Sequence, residues 1–388
     1  MSTSSEVLPI RDCLVMAKPT GPQCNLGCKY CYYLGKDQLF PADTPRKMSD
    51  ELLERYIAER IATAVGSKVH FEWHGGEPTT LGLPYFRRIV ELQRRHHRPG
   101  FSVSNGLQTN GTLLDADWAR FLSETNFSVG LSLDGPAEMH DAYRVNKGGY
   151  PTHRQVVKAF QLLQKRKIHT DVLCVVHAAN VGKPKEVYRY FKDLGVRYLQ
   201  FLPLVEREGE GVSDRTPAPE AVGEFLCTVF DEWVQSDVGR IVIQFFDEAL
   251  RPACGVPHSL CLFRETCGDV LALEHDGSMY PCDHFVDPQY RLGNLEADSF
   301  FELLSRPELA EFGDRKRSTL PSSCLNCEVL AWCNGGCPKD RIAVSAKGEP
   351  GLNYLCKGFQ RFFRHCQPAL EELAERWRAG KPGFTTHR

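Results

Sequence analysis

Six short runs rich in β-branched residues alternate with amphipathic stretches through the N-terminal half of the chain. That alternation restricts the possible architectures more than any other feature. Strands are expected at Cys13 to Lys18, Val69 to Trp73, Phe101 to Gln108, Phe127 to Leu133, Asp171 to Val176 and Arg197 to Leu202. Helices are expected between them, at Ser49 to Thr63, Leu83 to His97, Asp115 to Ser123, Thr152 to Arg166 and Lys183 to Leu194. Several of these start on a Ser, Thr or Asp, residues that satisfy the free amides of a first helical turn. Strand then helix, repeated in this way, calls for a parallel sheet with right-handed crossovers. Periodicity leaves two forms open, a curved partial barrel and an open doubly wound sheet.

At 388 residues the chain exceeds the size at which one core usually keeps growing, so two domains are expected. Around Val205 to Pro219 the pattern breaks into a Gly, Glu, Arg and Pro-rich stretch that reads as an exposed loop. A helix over Pro219 to Gln235 and a strand over Ile241 to Phe246 should follow. From Cys254 cysteines crowd, and Val270 to Leu273, His275-Asp276-Gly277-Ser278 and Met279-Tyr280 spell a hairpin. The boundary is therefore placed near residue 245, giving a domain over 1–245, a cysteine-rich domain over 246–370 and a tail over 371–388.

A formal net charge of -2 implies neither a nucleic-acid nor a membrane-surface partner. Met1 to Asp12 lack the apolar core of a signal peptide, and no apolar run approaches bilayer length, so a cytoplasmic protein is expected. In that reducing compartment a chain with sixteen cysteines more often binds metal than forms disulfides.

Eleven of those cysteines fall into groups with iron-sulfur spacing. Cys24-x3-Cys28-x2-Cys31 is one thiolate short of a full set. A four-iron cubane held by three thiolates keeps one iron open, and an open metal position separates a reactive centre from a structural one. The second region comprises Cys261-x5-Cys267, Cys282, Cys324-x2-Cys327-x5-Cys333-x3-Cys337 and Cys356, enough for two four-thiolate sites. Zinc is the alternative in both places: a knob at the first group, or a ribbon of Cys324, Cys327, Cys333 and Cys337. Cys13, Cys174, Cys227, Cys254 and Cys366 stand outside the pattern, with Cys254 close enough to Cys261 to rival it as a ligand. The others read as buried small hydrophobes.

The first group, with Tyr30 directly before Cys31, resembles the signature of radical S-adenosylmethionine (SAM) enzymes. The resemblance implies a partial (β/α)6 barrel with its site at the carboxyl ends of the strands. It implies that the amino and carboxylate groups of SAM chelate the open iron and that Tyr30 lies near the adenine. His74-Gly75-Gly76-Glu77-Pro78, at a strand end, matches the segment that meets the SAM amino group, placing Gly75, Gly76 and Glu77 there. Gln108-Thr109-Asn110-Gly111 and Ser132-Leu133-Asp134-Gly135 close later strands. By resemblance Ser132 and a downstream arginine, taken as Arg154 with Arg144 as the rival, hold the SAM carboxylate. His74, His96 and His97 read as ordinary polar positions.

The later cysteines resemble the SPASM extension, which carries two auxiliary [4Fe-4S] clusters. Carried over residue by residue, Cys261, Cys267, Cys282 and Cys337 hold the first, and Cys324, Cys327, Cys333 and Cys356 the second. Cys282-Asp283 and Leu352-Asn353-Tyr354-Leu355-Cys356, running into Gly358-Phe359-Gln360-Arg361-Phe362-Phe363, narrow the resemblance to anaerobic sulfatase-maturating enzymes. These oxidise an active-site Cys or Ser of an unfolded sulfatase to Cα-formylglycine. The implied cofactors are three [4Fe-4S] clusters and SAM, and Asp283 is the implied general base for the substrate thiol or hydroxyl proton. On its own residues, Asp283 reads as a surface or capping carboxylate. A monomer served by a donor such as flavodoxin or ferredoxin is expected. Maturases that crosslink or epimerise other ribosomal peptides share the architecture, and a zinc-rich interaction module is the non-enzymatic alternative.

Overall fold

The computed structural model describes residues 13–33 and 35–380. The parallel strands β1 (Leu14–Lys18), β2 (Lys68–Trp73), β3 (Ser102–Thr109), β4 (Phe127–Ser132), β5 (Thr170–Val176) and β6 (Tyr198–Pro203) lie side by side in sequence order. The helices α1 (Asp50–Thr63), α2 (Gly82–Arg95), α3 (Ala116–Glu124), α4 (Ala137–Tyr143), α5 (His153–Lys165) and α6 (Pro184–Leu194) connect them. Ser49 caps α1 by accepting the Leu52 amide, and Asp115 caps α3 by accepting two amides, as the sequence suggested. Thr152 does not cap α5; its hydroxyl donates to the Arg144 carbonyl instead.

Burial alternates strictly along β4 and β5, the period of a strand with one face packed and the other facing a cavity. The packed face presents Val69, Phe71, Trp73, Leu107, Val129, Leu131, Val172, Cys174 and Val176 to Tyr56, Ile57, Phe86, Ile89, Phe160 and Phe191 of the helices. His70, Glu72, Gln108 and Ser132 lie on the half-buried face.

The exposed stretch after β6 carries a small hairpin, β7 (Arg207–Glu208) and β8 (Gly211–Val212), and α7 (Pro219–Ser236) follows as expected. The expected strand at Ile241 to Phe246 is corrected: only β9 (Val242–Ile243) pairs with β6, and α8 (Gln244–Ala253) starts at once. Phe245 and Phe246 turn helical because they then reach an aromatic cluster with Phe230, Phe263, Phe359 and Phe362. The boundary placed near residue 245 therefore falls in the first turn of α8.

The hairpin is present as β10 (Val270–Glu274) and β11 (Ser278–Tyr280), followed by β12 (Gly293–Asn294). It is not separate from the barrel. β10 pairs in parallel with β1, placing Glu274 opposite Lys18, and the result is one ten-stranded open sheet from β12 to β9. The short helices α9 (Phe300–Leu304), α10 (Pro307–Ser318), α11 (Ser322–Leu325) and α12 (Leu330–Cys333) carry much of the cysteine-rich region, with β13 (Ala343–Val344) and β14 (Pro350–Leu352) between them and the last helix. That helix, α13 (Cys356–Arg378), lies against α7 with little space: a side chain on Gly358 would place its Cβ 2.2 Å from the Pro219 carbonyl oxygen. Gly358→Ala is therefore expected to destabilise the fold by about 1–3 kcal/mol, the usual cost of overpacking, read as a lower midpoint in denaturant unfolding.

Candidate active site

Every parallel strand ends at the same rim, and Cys24 to Cys31 occupy the loop that leaves β1 there. Backbone bonds pin this loop to the end of α4 and the segment after it: the Gly27 amide donates to Val145 O and the Lys29 amide to Tyr143 O, each at 2.9 Å. Asn110 steadies it from β3, donating to the Asn25 side chain at 2.9 Å and to Cys24 Sγ at 3.8 Å. Burial pushes the Cys24 thiol up to about 11 and Cys28 to about 12; Cys31 pushes Cys24 the same way, and Cys31 and Cys24 push Cys28. Cys24 and Cys28 thus both have Cys31 as a neighbour, as ligands of one cluster would.

Tyr30 is held from three sides. Its hydroxyl donates to Asp134, the Arg144 guanidinium lies 5.4 Å from its ring centroid, and His177 and Tyr143 pack against it. Asp134 is a buried hub: Arg144 Nε donates to it at 2.9 Å and the Val175 amide at 2.9 Å. Burial would raise its carboxyl, but Arg144 and then His177 and His140 outweigh that and hold it well below the usual range. Arg144 is thus committed to Asp134. Arg154 is exposed on the first turn of α5 and, among the described residues, its side chain makes no hydrogen bond or ion pair. Ser132 ends β4, its hydroxyl accepting from Gln108 at 3.3 Å.

In the Gly75-Gly76-Glu77 segment, Gly76 passes so close to the cysteine loop that a Cβ would lie 2.2 Å from Gln23 O. The Glu77 carboxylate points inward, fully buried, and accepts from the Thr79 amide and hydroxyl, the Thr109 hydroxyl and the Asn110 amide. It braces the ends of β2 and β3; the Gly75 and Gly76 amides donate to His74 Nδ1 and Gly21 O, which leaves the glycine carbonyls as the part of this segment that can meet a ligand.

Asp283 is a buried residue in a cluster of charges and not a surface cap. Lys18, itself fully buried at the end of β1, forms an ion pair with Oδ1, and the Tyr32 hydroxyl donates to Oδ2. Lys18 Nζ also lies 3.9 Å from Glu274 and 3.8 Å from the Tyr33 ring centroid, while the Tyr33 hydroxyl donates to Glu274. Burial would raise the Asp283 carboxyl, but Lys18, then His74 and His284, hold it well below the usual range. His74 is therefore not an ordinary polar position: it lies beside Asp283, and burial lowers its pKa. His96 and His97 make only local contacts, to Glu54 and to the Phe101 carbonyl. Lys18, Tyr32, Tyr33 and Glu274 were missed in the sequence; the one available signal was a lysine ending an apolar strand.

All sixteen cysteines are free thiols. The eight later ones sort into two groups by whose charge each feels. Besides burial, Cys282 is pushed up by Cys337 and Cys261, and Cys267 and Cys337 by Cys261. Cys333, at about 12, is pushed by Cys356, Cys324 and Cys327, and Cys356, at about 11, by Cys324 and Cys327. Cys337 thus has Cys261 and Cys282 as thiol neighbours, the company that the first auxiliary set requires. Among the described residues no three His, Cys, Asp or Glu side chains are close enough to share a single ion. Cubane thiolates stand further apart, one per iron. Cys254 has Arg378 and Arg251 as its charged neighbours and joins neither group. Asn353 bridges the groups by donating to the Gly335 and Cys337 carbonyls, each at 3.3 Å.

The radical SAM superfamily profile matches residues 19–197, and that of the SPASM iron-sulfur cluster-binding domain matches 261–328. A serine-type anaerobic sulfatase-maturating enzyme of Bacteroides thetaiotaomicron is 42% identical over 92% of this chain and 90% of its own. A cysteine-type enzyme of the same name from Clostridium perfringens is 34% identical over 93% and 98%. A solved structure of native anSMEcpe with bound AdoMet and Kp18Cys peptide superposes with a TM-score of 0.84 at 34% identity, over 94% of this chain and 99% of that one. Streptococcus suis SuiB bound to its precursor peptide, 15% identical with a TM-score of 0.60, shares the fold alone. The chain belongs to the anaerobic sulfatase-maturating enzymes, radical SAM enzymes with a SPASM extension that use SAM and three [4Fe-4S] clusters.

Proposed function

We propose that this protein oxidises an active-site Cys or Ser of an unfolded sulfatase polypeptide to Cα-formylglycine without oxygen. The observation that carries the reading is the Asp283 carboxylate, kept ionised by buried Lys18 directly beside Cys282. An ionised carboxylate can accept a proton when the substrate side chain is oxidised, and the Lys18 pair, which makes it a weaker base, is what has to loosen for it to do so.

Cys24, Cys28 and Cys31 would hold the cluster that binds SAM, and reductive cleavage of SAM supplies the carbon radical that removes a β-hydrogen. Tyr30, braced by Asp134, would lie against the adenine. The Gly75-Gly76 backbone would take the SAM amino group, and Ser132 with the unpaired Arg154 its carboxylate. Asp283 takes the thiol or hydroxyl proton on an oxygen it shares with Tyr32 or Lys18. Held by their two sets of four cysteines, the auxiliary clusters supply one-electron redox chemistry for the second oxidation. A flavodoxin or ferredoxin is the proposed donor, and the protein is proposed to act as a monomer. No helix among the described residues is long and apolar enough to cross a membrane.

The test is anaerobic incubation with SAM, a reductant and sulfatase-derived peptides carrying Cys or Ser, with aldehyde trapping and mass spectrometry. An aldehyde in either peptide supports the reading. SAM cleavage with neither peptide changed would refute it.

A further inference from the structure

Two cations, Lys316 buried and Arg341 half-buried, lie among the eight later cysteines with no carboxylate to pair with. Lys316 of α10 is 1% exposed and donates to the carbonyls of Cys261 and Leu262 at 2.6 and 3.0 Å. Arg341 reaches under the loop from Cys333 to Cys337. Its Nε donates to Gly335 O at 3.1 Å, Nη2 to Asn334 O at 3.3 Å and Nη1 to Lys316 O at 2.6 Å. The loop leaves room for it because residue 335 is glycine: a Cβ there would lie 2.8 Å from Nη2. The two ends of this loop belong to different cysteine groups, Cys333 to one and Cys337 to the other. Arg341 accordingly has thiols of both as its charged neighbours, Cys324 and Cys333 from one, Cys267 and Cys337 from the other.

The chemistry of the position follows. Four thiolates around a cubane make a negative site, and each added electron makes it more so, so nearby positive charge favours the reduced cluster. A guanidinium is in effect always charged, and a half-buried position leaves the charge in place. Every one of Arg341's bonds is to a neutral oxygen, so its charge is not cancelled locally. We propose that Arg341 is a redox-tuning residue, a fixed positive charge between the two auxiliary clusters that raises the reduction potential of both. It thereby lets them take up the electron released by the substrate and pass it to an external one-electron acceptor of the flavodoxin or ferredoxin class. One electron enters and one leaves, and no proton is exchanged at Arg341. The inference rests on the two-cluster assignment of the eight cysteines.

The test is a redox titration of the full-length, anaerobically purified protein followed by electron paramagnetic resonance, with iron counted in each sample. Arg341→Met is expected to keep its iron and to disfavour reduction of both auxiliary clusters by about tenfold, ~59 mV for one electron. Arg341→Lys, which keeps the charge but loses the planar fork, should stay near the unsubstituted protein. Unchanged potentials in Arg341→Met, or an equal shift in Arg341→Lys, would overturn the proposal. If Arg341→Met sheds iron, the lysine variant decides: full iron with ordinary potentials sustains the tuning role, and iron loss there too makes Arg341 a structural clamp. Zinc in place of iron at these cysteines in the unsubstituted protein would instead remove the cluster assignment itself.

Discussion

Asp283→Asn should still cleave SAM to 5′-deoxyadenosine while formylglycine yield falls by about 10²- to 10⁴-fold, the range for loss of a general base. The expected signature is this uncoupling, because the base acts after the hydrogen is removed. Asparagine keeps the size of the side chain and can still accept from Tyr32, so the neighbouring ligand Cys282 should stay in place. The substitution also leaves Lys18 paired only with Glu274, at 3.9 Å. Breaking a buried ion pair costs about 3–5 kcal/mol in general, so a lower unfolding midpoint should accompany the uncoupling. Product formed at the unsubstituted rate would remove Asp283 from the mechanism. Parallel loss of SAM cleavage and product would make it a placement residue.

Replacing Cys24, Cys28 and Cys31 together by Ala should abolish SAM cleavage and leave about eight of an original twelve iron atoms per chain, as expected for three four-iron cubanes. The effect should stay local. The triplet sits on the loop after β1, held by backbone bonds to Tyr143 and Val145, whereas the eight later thiols form their own two groups. Iron analysis and the optical spectrum of anaerobically purified protein measure it. Zinc retained at the later cysteines, with iron confined to the first group, would contradict the assignment.

The barrel was legible because its strands and helices are local patterns: period-two burial on β4 and β5, and caps at Ser49 and Asp115, are written within a few residues. The cysteine motifs were legible for the same reason, while the expected division of the eight later cysteines, with Cys337 joining Cys261, Cys267 and Cys282, came from family resemblance, because spacing leaves a local ribbon open. What stayed hidden depends on long-range pairing. Lys18 meets Asp283 and Glu274 only because β10 returns to lie beside β1, a register no local pattern encodes. His74 looked ordinary for that reason, and so did Tyr32, whose partner Asp283 is 251 residues away. The apolar run at Ile241 to Phe246 fits either period, and packing against α13 decided for a helix.

The central claim is that a hydrogen atom is taken from the side-chain carbon of a sulfatase Cys or Ser and that the carbon ends as an aldehyde. The most direct measurement uses a substrate peptide deuterated at Cβ, a second deuterated at Cα, and mass spectrometry of both 5′-deoxyadenosine and peptide. The account predicts deuterium in 5′-deoxyadenosine from the Cβ-labelled peptide alone, together with an aldehyde. Deuterium from Cα with an inverted centre, or a crosslinked peptide without aldehyde, would contradict it.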